Sequence, residues 1–112
     1  MKKVVYICST LRGDIIGNIK KANNYCKFAM EKGVIPLAPH TIFTQFLDDN
    51  NPVERHQGIS MGLELLTHCD EIWVFICGKI SMGMIQEINK AEQLKIPIFF
   101  HTEFCDIVTE KG

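Results

Sequence analysis

Residues 77–91, CGKISMGMIQEINKA, carry a carboxylate at a spacing that can support chemistry. The apolar run EIWVFI ends just before Cys77-Gly78, a helical pattern begins at Met82 or Gly83, and Glu87 follows about one turn later. A carboxylate close to a helix start is favoured in its ionised form. At a ligand-bearing sheet edge such a group can act as a nucleophile. Position alone leaves two other roles open: a solvated helix residue, or an ion-pair partner for Arg12. Two loops, STLRG at 9–13 and CGKISMG at 77–83, each run from a strand pattern into a helix pattern. Both would offer backbone N–H groups and a positive dipole end to an anion. Arg12 could add a planar, bidentate contact to phosphate. Neither G-x-x-x-x-G-K-[ST] nor G-x-G-x-x-G is present, so ordinary ATP and NAD sites are excluded and no cofactor is expected. His40, His56, His68 and His101 are scattered, with no other His or Cys at ligand spacing within one element, so no metal is expected.

The elements that must position these loops alternate. KKVVYIC at 2–8 reads as a strand, and Ile19, Ala22, Tyr25, Cys26, Ala29 and Met30 recur at helical spacing over about 18–32, closed by Gly33. VIPLAP is a short strand whose prolines suit a sheet edge. Residues 40–53 are irregular, with room for one helical turn before DDNNP. A helix over 54–68 places Ile59, Leu63 and Leu66 on one face. DEIWVFI is the strongest strand, apolar enough to be covered on both sides. A helix over 82–94 and the strand IPIFFH complete the pattern, and the tail TEFCDIVTEKG is either frayed or docked. Such alternation predicts an α/β, Rossmann-like (flavodoxin-like) domain over 1–112: an open parallel sheet of four to five strands, helices on both faces, order 2-1-3-4. Ligands bind such sheets outside the carboxyl ends of the strands, where the order reverses. That rule puts the loops after the first and third strands side by side.

Composition narrows the class. A chain of 112 residues with net charge -1 has no basic surplus for a nucleic-acid polymer or an anionic membrane. It has no long uninterrupted apolar segment and no signal peptide pattern, so a cytoplasmic location is expected. Five cysteines without a C-x-x-C pair read as free thiols rather than a disulfide framework.

Three segments, YICSTLRG at 6–13, CDEIWVF at 69–75 and ISMGMIQEINKA at 80–91, resemble the nucleoside 2-deoxyribosyltransferase superfamily in order and spacing. The nearest relatives by this resemblance are the 2′-deoxynucleoside 5′-phosphate N-hydrolases, with related small bacterial and phage proteins. The resemblance implies N-glycosidic bond chemistry on a nucleotide or nucleoside. Glu87 would be the nucleophile at the anomeric carbon, and Tyr6 would orient it unless that ring is simply core. It also implies that Thr10, Arg12, Gly13 and Ser81 bind a 5′-phosphate. Thr109 would approach a neighbouring subunit's site, which suggests a homodimer.

The sequence departs from that pattern at two positions. The aspartate that assists the leaving base in these relatives falls at Gly62, which can neither donate nor accept a proton. His56, at the correct sheet edge, is a candidate substitute acid, although a lone histidine is more often a polar surface residue. Ser9 stands where the hydrolases carry glycine. Three functions follow: an N-glycosidase or N-deoxyribosyltransferase, a catalytically impaired nucleotide-binding module, or a protein that shares the fold alone.

Overall fold

The structure, a computed structural model, describes residues 1–108. Its strands are β1 (Val4–Cys8), β2 (Ile35–Leu37), β3 (Glu71–Ile76) and β4 (Ile98–Thr102). Its helices are α1 (Ile15–Glu31), α2 (His40–Phe43), α3 (Pro52–Leu66) and α4 (Met82–Gln93). The four strands form one parallel sheet in the order β2-β1-β3-β4, the predicted arrangement.

Each crossover helix begins where its sequence can satisfy the unpaired N–H groups of a first turn. The Asp14 side chain accepts from Gly17 N at the start of α1, and Asn51 accepts from Val53 N and Glu54 N at the start of α3. Ser81 Oγ accepts from Met84 N at 3.3 Å to start α4. Gly33, at φ 90°, takes the left-handed conformation that releases the chain from α1 into β2.

Alternation along the strands sorts the core into two layers. Val5, Ile7 and Phe75 face α1, where Tyr25 and Ala29 meet them and the Tyr25 ring stacks on Phe75 at 4.2 Å. Tyr6, Cys8, Ile72 and Val74 face the other way, against Leu66 of α3 and Met84 and Ala91 of α4. Each fully buried Leu, Ile or Val contributes roughly 1.5–3 kcal/mol. The two layers therefore fix both helix sets against the sheet.

Three readings of the sequence are refined. β1 starts at Val4, two residues later than expected, and β2 is confined to Ile35–Leu37. The described part of the tail, to Val108, docks: Val108 N donates to Phe100 O at 2.9 Å, and Ile107 bridges His101 beside β4.

Candidate active site

A cavity of about 460 Å³ opens at the carboxyl edge of the sheet, between the loop after β1, the α2–α3 segment and the start of α4. That volume lies within the range that takes a small organic ligand. Its walls are mixed. Phe43, Leu47, Ile59, Leu63 and Met84 supply apolar surface, while Arg12, His40, Asp49, Arg55 and Glu87 supply charge and proton-exchanging groups.

Glu87 sits on the inner face of α4 and is only 9% exposed. Tyr6 and Cys8, two residues apart on β1, point to the same side of the sheet and both reach it. The Tyr6 hydroxyl donates to Glu87 Oε2, and the Cys8 thiol donates to Oε1 at 3.2 Å. Burial pushes the Glu87 carboxyl above its usual range, while the charge of His40 and the Tyr6 and Cys8 hydrogen bonds pull the other way. Burial, followed by the nearby carboxylate, also raises Tyr6 and Cys8 well above their ordinary values, so both are neutral donors. Proximity to the α4 terminus predicts an ionised Glu87. Glu87 is the sixth helical residue, beyond the first turn where that effect is felt, and desolvation dominates instead.

Gly62 explains how α3 comes so close to this pair. A β-carbon built there would stand 3.2 Å from the Tyr6 hydroxyl and 3.8 Å from Pro39 Cβ. At Gly62 a bare backbone is laid over the Tyr6–Glu87 contact.

The expected phosphate residues are only partly assembled. Arg12 lines the cavity, but its Nε lies 3.5 Å from Asp49 Oδ2, and Arg55 Nε approaches Asp49 Oδ1 at 3.9 Å. Ser81 also lines the cavity, with its Oγ engaged in the α4 cap. Thr10 does not line it, and its hydroxyl turns to the Met84 sulfur at 3.3 Å. Gly13 is exposed at φ 98°, away from the cavity, and the N-terminus of α1 is occupied by the Asp14 carboxylate. Thr109 lies outside the described residues.

His56 is exposed and absent from the cavity wall, where its neighbour Arg55 stands instead. From α3 the cavity takes Glu54, Arg55, Gly58, Ile59 and Leu63, and His56, turned about 100° from Arg55, falls outside that stripe. The histidine in the cavity is His40, the first residue of α2, whose Nε2 lies 2.9 Å from the Ser9 carbonyl oxygen. No motif in the sequence marks it. The available signal was its place directly after β2, at the sheet edge where ligands bind. Among the described residues no cluster of His, Cys, Asp and Glu is placed to hold a metal ion, and no helix is long and apolar enough to cross a membrane.

This architecture is that of the 2-deoxyribosyltransferase fold. A 2-deoxyribosyltransferase from Bacillus psychrosaccharolyticus superposes with a TM-score of 0.67 at 15% identity, over 95% of this chain and 77% of that one. A 2-desoxiribosyltransferase from Leishmania mexicana superposes with a TM-score of 0.59 at 20% identity, over 89% of this chain and 64% of that one. Residues 3–101 match the family described as a domain of unknown function (DUF7768), and the chain belongs to that family. No curated protein matches it.

Proposed function

We infer that the protein cleaves the N-glycosidic bond of a nucleoside or nucleotide, with Glu87 as nucleophile and Tyr6 as the group that orients it. The observation that carries this is the Glu87 carboxylate itself, buried at a cavity of ligand size and held by hydrogen bonds to both oxygens. A carboxylate fixed in this way can attack an anomeric carbon as an oxocarbenium-like charge develops, forming a glycosyl ester that water or a second base resolves. The apolar wall of Phe43, Leu47 and Ile59 suits the face of a base, and Arg12 suits an anionic substituent. The fold shared with two deoxyribosyltransferases supports the same chemistry. On this reading residues 1–112 act as one domain, and the resemblance extends to a homodimer. Five free thiols suit a reducing compartment such as the cytoplasm.

The test is chromatographic detection of free base from each ribo- and deoxyribonucleoside and its 5′-monophosphate, for the parent protein beside Glu87→Ala. Base released by the parent and not by a folded Glu87→Ala supports the assignment. Equal release by both would remove Glu87 from the chemistry. Adding a second base to the mixture separates transfer from hydrolysis.

Gly62 favours a second function, a nucleotide-binding module that has lost turnover, because the acid expected there is missing. It predicts saturable binding of nucleoside monophosphates, weakened by Arg12→Ala, with no base released on long incubation.

A further inference from the structure

A carboxylate nucleophile completes only half of an N-glycosidic cleavage, because the departing nitrogen also needs a proton. We propose that His40 supplies it, acting through Nδ1 as general acid on the leaving base and then as general base on the attacking water. This assignment rests on the proposed glycosidase function and adds to it the residue that moves the proton.

Three observations converge on His40. First, no side chain at position 62 can serve, and a β-carbon there would already crowd the Tyr6 hydroxyl. Second, the other acids on the cavity wall have partners, Asp49 by charge alone, since its buried Oδ2 has no hydrogen-bond partner among the described residues. Asp49 lies between the Arg12 and Arg55 guanidiniums, and Glu54 Oε1 accepts from Asp48 N at 2.9 Å. The guanidiniums do not give up protons near neutrality, and Lys79 is exposed on the loop before α4. Third, His40 is held as a working imidazole should be. A carbonyl oxygen can only accept, so the 2.9 Å contact with Ser9 O fixes the hydrogen on Nε2 and leaves Nδ1 to exchange. The ring projects from a short turn anchored by buried Ala38 and Pro39, and Thr44 Oγ1 donates to the His40 carbonyl. The cavity wall includes both His40 and Glu87, and the His40 charge is near enough to pull on the Glu87 carboxyl.

The steps balance without a further reactant except water. A Glu87 oxygen forms a bond to C1′ while the C1′–N bond breaks and its electron pair leaves with the base. The protonated His40 gives its Nδ1 proton to that nitrogen. Neutral Nδ1 then takes a proton from water as the water oxygen attacks C1′, and the ester bond returns its electrons to Glu87. Free base and sugar leave, and His40 is again protonated.

The experiment compares leaving groups. Parent, His40→Ala, His40→Gln and Glu87→Ala are each assayed on 2′-deoxyguanosine and on its 7-methyl derivative, as nucleosides and as 5′-monophosphates. The methylated cation departs as a neutral base and needs no proton. His40→Ala and His40→Gln should lose about 100- to 10,000-fold in kcat on the unmethylated substrate, with KM little changed, yet under about tenfold on the methylated one. Glu87→Ala should lose both. Equal losses on the two substrates, no loss on either, or a change confined to KM would each overturn the His40 assignment while leaving the Glu87 function standing. A parent protein that releases base from none of these, nor from any other nucleoside or 5′-monophosphate, would overturn both. Circular dichroism and melting temperature confirm that the variants compared are folded.

Discussion

The α-carbon of Gly62 lies so close to the Tyr6 hydroxyl that a single added β-carbon would be 3.2 Å from it. Helix α3 thus packs directly on the polar contact that holds Glu87. An alanine there would gain about 1 kcal/mol of helix propensity, set against about 1–3 kcal/mol of overpacking. The hydroxyl has no free direction in which to yield, since it is buried and bonded to Glu87. Gly62→Ala should therefore change stability by no more than about 2 kcal/mol while sharply reducing base release. Thermal melts beside the chromatographic assay check both parts, and a fully active variant would show that the contact is not critical.

Removing the Tyr6 hydroxyl takes away a donor that favours the ionised form of Glu87. The carboxyl of Tyr6→Phe should then rise further, and its proton should be lost only at higher pH. The acid limb of the pH–rate profile should move to higher pH than in the parent. An unmoved limb would mean that the hydroxyl does not tune Glu87.

Glu87 should also detract from stability. Its folded pKa is raised by burial above 4.5, so the folded chain binds that proton more tightly than the unfolded chain does. The associated stability is present below pH 4.5 and is lost as pH rises through the folded pKa. Glu87→Gln, uncharged at any pH, should raise the melting temperature at pH 7 and converge with the parent near pH 4. Each kcal/mol corresponds to about 4–8 °C for a chain of this size. Identical melting at both pH values would contradict the linkage.

Asp49 lies between Arg12 and Arg55, and Arg12 is 57% exposed, so these pairs should add under about 1 kcal/mol to stability. Their effect falls on ligands instead. Asp49→Asn leaves two guanidiniums without their carboxylate and should tighten nucleoside monophosphate binding several-fold, whereas Arg12→Ala should weaken it. Calorimetric titration of all three proteins measures this. Weaker binding by Asp49→Asn would indicate that the carboxylate itself contacts the nucleotide.

The sheet and its order were legible because their signals are long. The apolar run of β3 and the recurrent Ala22, Tyr25 and Ala29 of α1 are periodic over whole elements. Glu87 was legible as a candidate for the same reason, being tied to the end of β3. His40 was not, because α2 is a single turn without a period, and its direction is set by where Ala38 and Pro39 leave the sheet. The position of His56 depends on the rotation of α3, which spacing in the sequence does not report. With α3 beginning at Pro52, Arg55 faces the cavity and His56 faces solvent. The contact between Gly62 and Tyr6 joins residues 56 positions apart, which no local pattern reports.

Both donors to Glu87 come from one strand, paired with β3 through Tyr6↔Ile72 and Cys8↔Val74. A slip of β1 by one residue would turn both to the opposite face of the sheet. Shifted one way, Val5 and Ile7 would stand before the carboxylate and neither side chain can hydrogen-bond to it; shifted the other way, Ile7 and Ser9 would, and the orienting phenol would still be lost. Proper alignment of the first strand is thus a condition of having the site at all. A misthreaded chain would lack the site even if it remained compact, so base release would report correct strand alignment in preparations that look folded by secondary structure alone.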